Sequence, residues 1–325
     1  MSPATCPICL KVNLGLVFAM LIANPPMLLL AADAPVLTSG SPGSLTGSAI
    51  ALGSRLGASA ISAADDKTVT NSIGMKLVRI PAGEFQMGSP ESDEEARDDE
   101  KPQHPVKITM PFLVGMYEVT QREYEAVQGN NPAWFSPSAG GRKKVSDVDT
   151  TEFPAERVSW LDAVEFCTKL SERPEEKAAG RRYRLLTEAE WQYCCRAGTA
   201  SRYHFGDSLG SLQANINGRF PYGGAKRGPY LGRTTKVGSY QPNAFGLYDM
   251  HGNVGELCSD FFGREYYQQT PTDDPQGPEK GSDHLVMGGS WHSDAFRCRA
   301  AHRRSNARSG VASYFGFRVA CEQQK

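Results

Sequence analysis

Short segments of alternating apolar and polar residues recur along the chain after residue 68. Alternation at every second residue is typical of strands, because successive side chains of a strand point to opposite faces of a sheet. The segments predicted to contain short strands are KLVRIPAGEFQMG, VKITMPFLVGMYEV, LVMGGSW, FRCRAAHRR and YFGFRVACE.

Three helix starts are marked by capping boxes. In this motif a hydroxyl accepts a hydrogen bond from a backbone amide, and an acidic side chain three residues later accepts one from the amide of the capping residue. The three pairs are Thr120 with Glu123, Ser159 with Asp162, and Thr187 with Glu190. The sequence therefore predicts a helix after each of these hydroxyls.

Apolar residues follow two of these starts at helical spacing. After the second start, the residues on one helical face are Ala163, Phe166, Cys167 and Leu170. After the third start, Trp191 and Cys195 share a face. Gly198 is a suitable stop, because glycine readily adopts the left-handed conformation at a helix end. We expect both Cys167 and Cys195 to point inward.

The order of these elements indicates an α+β fold with little regular secondary structure. The 33 glycines and 21 prolines indicate many turns and irregular loops. A doubly wound sheet would need regular alternation of strands and helices, which the pattern lacks. We predict one domain over residues 69–325, preceded by a flexible tether at residues 35–68 that is rich in Ser, Gly and Ala.

Residues 1–34 are predicted to be a signal peptide. Lys11 precedes a long apolar run, and the Ala-Asp-Ala at residues 32–34 provides small residues for cleavage. Pro25 and Pro26 interrupt the run, whereas a membrane-spanning helix needs roughly 20 unbroken apolar residues. A retained anchor is the alternative. We expect an exported chain, periplasmic, cell-surface or secreted, with no stable membrane span after signal removal.

The charge balance changes the list of expected partners. Lysine plus arginine number 35 and aspartate plus glutamate 36, so the net charge is -1. A nucleic-acid partner is not expected, because such partners usually require a basic surface. The most acidic stretch, ESDEEARDDEKPQH, is interpreted as a solvated loop between strands.

Six cysteines remain once the predicted signal peptide, with Cys6 and Cys9, is removed. They are Cys167, Cys194, Cys195, Cys258, Cys298 and Cys321. In an oxidising compartment an even number of cysteines can form disulfides, and buried free thiols are the alternative.

Several longer motifs occur in one order between residues 79 and 321. They are IPAGEFQMGS, YEVTQREYEAV, FPAERVSWLDAVEFCTKLS, RRYRLLTEAEWQYCCRAG, PNAFGLYDMHGNVGE, MGGSW and YFGFRVAC. On these motifs the chain resembles the formylglycine-generating enzyme, or sulfatase-modifying factor, family. The resemblance covers nearly the whole predicted domain and implies a C-type-lectin-like fold.

The resemblance also implies a chemistry. Family enzymes oxidise a cysteine of a sulfatase to formylglycine with oxygen and copper(I), which two thiolates hold because copper(I) prefers soft ligands. The first cysteine lies three residues after Gly-Gly-Ser, a position that Ser293 occupies here, after Ser290. The second position falls on Cys298 counted forward, or on Ala295 counted backward from the arginine-rich segment. A hydroxyl is a hard ligand, so Ser290, Ser293 and Cys298 form a degenerate catalytic set that is not expected to bind copper.

Three further polar residues lie beside this set. His292, Asp294 and His302 are interpreted as the polar lining of a cleft. A metal site with other ligands is the alternative, and iron is not excluded, since related non-haem iron enzymes use the same domain.

The family's disulfides tie two capped helices to carboxy-terminal strands. By resemblance, Cys167 and Cys195 occupy the helix positions, and Cys298 and Cys321 each lie two residues from a strand position. A shift of two along a strand keeps a side chain on the same face. The resemblance therefore implies the bridges Cys167–Cys321 and Cys195–Cys298, each contributing about 2–4 kcal/mol.

The motif YDMHGNVGE matches a calcium site of the family. Its ligands map onto Asp249, Gly252, Val254 and Glu256. Oxygen ligands of mixed type suit calcium, and a tight turn without an ion is the alternative. A second family site begins at Asn215 and Ile216 and includes Leu231, but its acidic ligand aligns near Pro229.

Two classes of function follow. One is an exported oxidoreductase related to the formylglycine-generating enzymes, acting on a sulfatase-like protein. The other is a non-catalytic, calcium-stabilised, lectin-like domain that binds a protein or a glycan at the cell surface.

Overall fold

The computed structural model describes residues 67–323, so the predicted signal peptide and nearly all of the predicted tether lie outside the described residues. Within this range no helix has both the length and the apolar composition needed to cross a membrane. The strands are β1 Thr68–Thr70, β2 Lys76–Ile80, β3 Gly83–Met87, β4 His104–Ile108, β5 Phe112–Gly115, β6 Arg181–Leu185, β7 Gly255–Phe261, β8 Asp283–Met287, β9 Arg304–Ala307, β10 Phe315–Gly316 and β11 Val319–Gln323. The helices are α1 Gln121–Gln128, α2 Trp160–Glu172, α3 Pro174–Ala178 and α4 Glu188–Arg196.

The prediction of an α+β fold with short strands and few helices is confirmed. Between α4 and β7 the described chain forms turns and isolated bridges in place of helices or longer strands. The strands assemble into three sheets, with the orders β1-β2-β5-β11-β6, β10-β7-β8-β9 and β3-β4.

The five-stranded sheet divides the core in two. Strand β11 lies inside it and pairs antiparallel with both β5 and β6. Val319 and Cys321 pack in one apolar cluster, while Ala320 between them packs in the other. Alternating side chains of a strand point to opposite faces, so both faces of this sheet are buried. Helix α2 contributes to the first cluster and α4 to the second.

The four-stranded sheet leads into the segment that contains Ser290 and Ser293. Strand β8 pairs with β7 on one side and β9 on the other. Met287 ends β8, and Gly288 and Gly289 both have positive φ, of 84° and 69°. The chain therefore turns sharply away from the sheet before Ser290.

All three predicted capping boxes are present. The hydroxyls of Thr120, Ser159 and Thr187 accept from the amides three residues on, and the acidic partners accept from the capping amides. The predicted inner face of α2 is buried, and α4 ends at Arg196, just before Gly198. These local signals fixed the helix starts because every partner lies within one turn.

The segment FRCRAAHRR was predicted to be a strand, and that prediction is wrong for most of its length. Residues Ala295–Cys298 form a 3₁₀ helix, and the regular strand begins only at Arg304. The reason is local, because the Asp294 side chain caps this helix by accepting from the Arg297 amide at 3.0 Å. Strands β1, β6 and β7 and helix α3 were not predicted.

The acidic stretch at residues 91–104 connects β3 to β4 as the predicted loop between strands, but three of its acidic side chains are not solvated. Asp93, Asp99 and Glu100 are buried. Glu100 is held by both terminal nitrogens of Arg299, at 2.7 and 2.8 Å, and Arg202 binds Asp93 at 2.8 and 3.1 Å. The segment is therefore a largely exposed loop that buried ion pairs at Asp93 and Glu100 anchor to the domain.

Candidate functional site

A cleft of about 530 Å³ opens where the chain turns away from β8. The side chains that define its chemistry are Ser290, Ser293, Asp294, Arg297, His302 and Arg304. A smaller recess of about 230 Å³ adjoins it and extends to Asn217, Phe220 and His292. Cleft and recess share the wall formed by Ser290, Ser293 and Arg304, so they are two parts of one depression.

The two serines form a tight turn at the floor of the cleft. The Ser293 amide donates to the Ser290 carbonyl at 2.9 Å, and the Ser290 amide donates to the Ser293 hydroxyl at 3.1 Å. The two hydroxyl oxygens are 3.2 Å apart. The structure thus brings together two of the three residues of the predicted degenerate set.

The third residue of that set, Cys298, does not line the cleft. It is fully buried on the 3₁₀ helix, with its thiol against the backbone of Gly289 and 3.5 Å from the Asp294 carbonyl. A Cβ on Gly289 would lie 2.4 Å from the Cys298 sulfur, so this contact requires glycine. Burial raises the pKa of Cys298 far above its ordinary value. Ala295, the alternative second position, is also buried and carries no thiol.

Neither serine has a partner that could activate it. Among residues 67–323, no imidazole or carboxylate accepts a hydrogen bond from Ser290 or Ser293. His292 points to the Tyr230 hydroxyl at 3.2 Å. His302 faces the cleft, and burial together with surrounding arginines lowers its pKa to about 3, so it stays neutral. Within residues 67–323, neither serine hydroxyl is hydrogen-bonded to a side chain that could act as its general base.

Two arginines beside the cleft, Arg299 and Arg303, are fixed by partners far away in the sequence. Arg303 is buried and binds Glu188 at 2.7 and 3.1 Å, as Arg299 binds Glu100. The sequence reasoning missed these pairs. Their signal is the helical-type spacing of Arg299 and Arg303, but the acidic partners precede them by more than a hundred residues.

The six cysteines between residues 67 and 323 are buried and free, so neither predicted bridge is present in the structure. Cys195 lies 3.7 Å from the His251 imidazole, and His251 contacts the carbonyl of Cys298 at 2.7 Å. The imidazole therefore contacts the thiol of Cys195 and the backbone carbonyl of Cys298. Cys167 and Cys321 share one apolar cluster.

The predicted calcium residues lie in a buried charge cluster. Glu118, Asp249 and Glu256 face the single guanidinium of Arg318, and all four are buried. Burial, followed by the neighbouring carboxylates, raises the pKa of Glu118 well above its usual range. Burial also raises the pKa of Asp249 to about 6. The cluster holds more carboxylates than cations.

The same cluster limits the fit to a calcium shell. Arg318 binds both carboxylate oxygens of Glu256, between 2.8 and 3.2 Å, and the Trp191 indole donates to one of them at 2.8 Å. Asp249 accepts from the Gly238 amide at 2.6 Å. Both carboxylate oxygens of Glu256 are therefore hydrogen-bonded to Arg318. The four predicted ligands do not all have oxygens free to coordinate one calcium ion.

The two predicted calcium segments meet each other. The Asn253 amide donates to the Asn215 carbonyl at 2.8 Å, and the Asn215 side chain donates to that of Asn253 at 3.0 Å. Gly252 has a φ of +89°, and a Cβ there would lie 2.5 Å from the Asn215 carbonyl oxygen, so the contact needs glycine. The Asn215 side-chain oxygen is buried without a hydrogen-bond partner, whereas Leu231 is exposed. In the range 67–323, no three His, Cys, Asp or Glu side chains are grouped to hold a metal ion.

Comparison with known proteins gives consistent matches. The family model described as the sulfatase-modifying factor enzyme 1-like domain matches residues 63–323. A formylglycine-generating enzyme of Streptomyces coelicolor is 33% identical over 289 aligned positions, which cover 75% of this chain and 88% of that protein. The serine/threonine-protein kinase pkn1 of Chlamydia pneumoniae is 30% identical over 262 positions, which cover 75% of this chain but only 38% of the kinase.

Two solved structures share the fold. PvdO from Pseudomonas aeruginosa is 31% identical, with a TM-score of 0.63 over 78% of this chain and 97% of PvdO. Treponema denticola variable protein 1 is 27% identical, with a TM-score of 0.63 over 78% of this chain and 98% of that protein. Similar domains therefore occur in proteins that carry different names.

Proposed function

This chain belongs to the sulfatase-modifying factor family, and from that premise we propose that it is an exported, non-catalytic member that binds a partner protein in the cleft. On this proposal, the family's oxidation of a sulfatase cysteine to formylglycine is lost. The matches to a kinase and to PvdO support a role other than formylglycine formation, since the domain also occurs in those proteins.

One observation carries the proposal, which is that no cysteine lines the cleft or the recess. Ser293 lies where the first thiolate is expected, and the Cys298 thiol is buried behind Gly289. A hydroxyl is hard and weakly acidic, whereas copper(I) selects soft thiolates. The residues present therefore do not fit the family's copper(I) site.

A peptide assay tests the loss of oxidation. The full chain is incubated with copper(I), oxygen and a peptide of the form Cys-x-Pro-x-Arg. The mass of the peptide is then measured by mass spectrometry. We expect the thiol peptide to be recovered unchanged, while the formylglycine-generating enzyme of Streptomyces coelicolor serves as the positive control. An aldehyde product with this chain would overturn the proposal and support the oxidoreductase alternative.

The variant Ser293→Cys refines this test. It restores a thiol to the cleft floor but leaves Cys298 buried, with its pKa raised by that burial. A thiol with a raised pKa is a poor source of thiolate at neutral pH. We therefore expect that Ser293→Cys alone neither binds copper(I) tightly nor converts the peptide.

Export is the second part of the proposal, and it rests on the amino-terminal sequence pattern. Expression of the full chain in a bacterial host, followed by amino-terminal sequencing of the protein from outside the cytoplasm, tests it. We expect a mature protein that starts after Ala34. A chain recovered intact from the membrane would indicate the retained-anchor alternative.

Calcium stabilisation is the third part. It rests on three buried carboxylates, those of Glu118, Asp249 and Glu256, beside one guanidinium, with Glu256 already bound by Arg318. A bound cation would offset their repulsion, and binding to the folded state alone raises stability. We expect the melting temperature to rise with millimolar calcium and to fall with a chelator. Asp249→Ala, which removes the side-chain oxygens, should abolish the calcium response, whereas an unchanged melting temperature in wild type would refute this part.

A further inference from the structure

The walls of the cleft and recess carry an unbalanced positive charge. Arg297 and Arg304 line both parts, and Arg97 lines the cleft but pairs with Asp99 at 3.1 Å. Asp294 is the one acidic residue in either wall, and it already pairs with Arg297 at 3.3 Å and caps the 3₁₀ helix. The depression therefore offers more positive than negative groups to a ligand.

Arg304 is the clearest unused group. It is exposed, and within residues 67–323 it forms no salt bridge. Its guanidinium lies 5.1 Å from the ring centre of Tyr314 and 4.8 Å from that of Phe315. Pairing of β9 with β8 fixes its backbone opposite Val286. The side chain is thus held at the rim by aromatic rings, with its N–H groups available to an acceptor.

The pKa of the buried His302 imidazole is also affected by the arginines around the cleft. Burial is the main cause of the low pKa of His302, and Arg299, Arg97, Arg297 and Arg304 lower it further. Arg299 is neutralised by Glu100, but Arg304 has no such partner. The arginines therefore add to the effect of burial on the pKa of His302.

The floor and the remaining walls of the cleft have hydroxyl groups and apolar surface that suit an extended peptide with acidic side chains. Ser290 and Ser293 contribute hydroxyl groups, which can donate to carboxylate oxygens. Phe296, Phe220 and Tyr314 provide apolar surface from the cleft into the recess. Arginine forks match carboxylates with two parallel hydrogen bonds, which favours carboxylate over a diffuse negative surface.

We propose that the cleft and recess bind an acidic peptide segment of a partner protein, with Arg304 and Arg297 pairing with its carboxylates. The inference rests on the proposed binding function and names its ligand class. The proposed ligand is acidic, whereas the Cys-x-Pro-x-Arg peptide of the family's substrates carries a positive charge. An arginine-lined depression should repel that charge.

Fluorescence anisotropy with the full chain and labelled hexapeptides tests this inference. One peptide alternates Asp with Gly, a second has Asn in place of Asp, and a third has Lys. We expect the Asp peptide to bind and to weaken as salt is added, because exposed charge pairs are screened. The Asn and Lys peptides should bind at least about tenfold more weakly, the loss expected for charge-assisted hydrogen bonds.

Arginine variants assign the binding to the cleft. Arg304→Gln and Arg297→Gln should each weaken the Asp peptide by about tenfold. Arg79→Gln is the matched control, because Arg79 is also an exposed arginine on a strand, in β2, and does not line the depression. Unchanged melting temperatures will show that the variants fold.

The possible failures are distinguishable. Equal binding of the Asp and Lys peptides, no binding of any peptide, or wild-type affinity in Arg304→Gln would overturn the acidic-peptide inference. Binding of a sulfated oligosaccharide without binding of the Asp peptide would also overturn it, in favour of an anionic glycan. Only formation of the aldehyde in the mass assay would overturn the non-catalytic function itself.

Discussion

The buried pair of Glu100 and Arg299 makes a quantitative prediction about the acidic segment. Glu100→Gln keeps the size of the side chain but removes its charge, so one hydrogen bond to the guanidinium is replaced by opposed N–H groups. The two side chains are 0% and 2% exposed, and the two existing contacts are 2.7 and 2.8 Å long. Water cannot readily compensate for the lost charge.

The expected cost follows from this burial. Removing one partner of a buried ion pair leaves an uncompensated charge and costs about 3–5 kcal/mol. Asp93 lies near Arg299 but is already bound by Arg202, so it does not replace Glu100. A loss of this size corresponds to a fall in melting temperature of about 6–20 °C in a domain of this length.

Urea denaturation is the suitable assay, because urea, unlike guanidinium, does not screen charges. Arg264→Gln is the matched control, since it removes an exposed pair between Arg264 and Asp98 in the same segment. Exposed pairs contribute about 0–1 kcal/mol, so the control should stay close to wild type. The double variant Glu100→Gln with Arg299→Met should lose less than the sum of the two single losses. A loss below about 1 kcal/mol for Glu100→Gln would refute the reasoning.

Three further changes test other parts of the fold. Burial raises the pKa of Glu156 from 4.5 to about 8. The folded state therefore keeps a proton that the unfolded chain releases, and stability should fall as pH rises through that window, by at most about 1.4 kcal/mol per pH unit. Glu156→Gln should make this slope shallower in a series of melting curves, and an unchanged slope would count against the assignment. Gly289→Ala places a Cβ 2.4 Å from the Cys298 sulfur and should cost about 1–3 kcal/mol in urea. Gly224→Ala, at a φ of +83° in open space, isolates the backbone part of that loss. Thr187→Ala removes the cap of α4 and should cost about 1 kcal/mol by thermal melting, and no loss would argue against the capping role.

The helix starts were predictable because their determinants are local. Thr120, Ser159 and Thr187 each form a capping box within one turn, and periodicity alone identified the buried face of α2. The segment around Cys298 was wrongly predicted to contain a strand. The cap from Asp294 is equally local, but alternation of apolar residues masked it.

The candidate site was predictable only in part. The order of the motifs located Ser290 and Ser293, which do meet in one cleft. The acidic partner of Arg299 could not be inferred, because Glu100 is 199 residues away in sequence and its run of acids is typical of a solvated loop. Sequence patterns describe neighbours along the chain, whereas the charge of a cleft depends on which arginines find distant partners and which do not.

The interior position of β11 has a consequence for biogenesis. Until residues 319–323 have been synthesised, β5 and β6 lack the neighbour that joins them, and each presents an unpaired edge. A nascent chain halted earlier would leave the edges of β5 and β6 unpaired and both apolar clusters incomplete. Chaperones and proteases could then bind these surfaces. The five-stranded sheet can therefore be completed only after residues 319–323 have been synthesised.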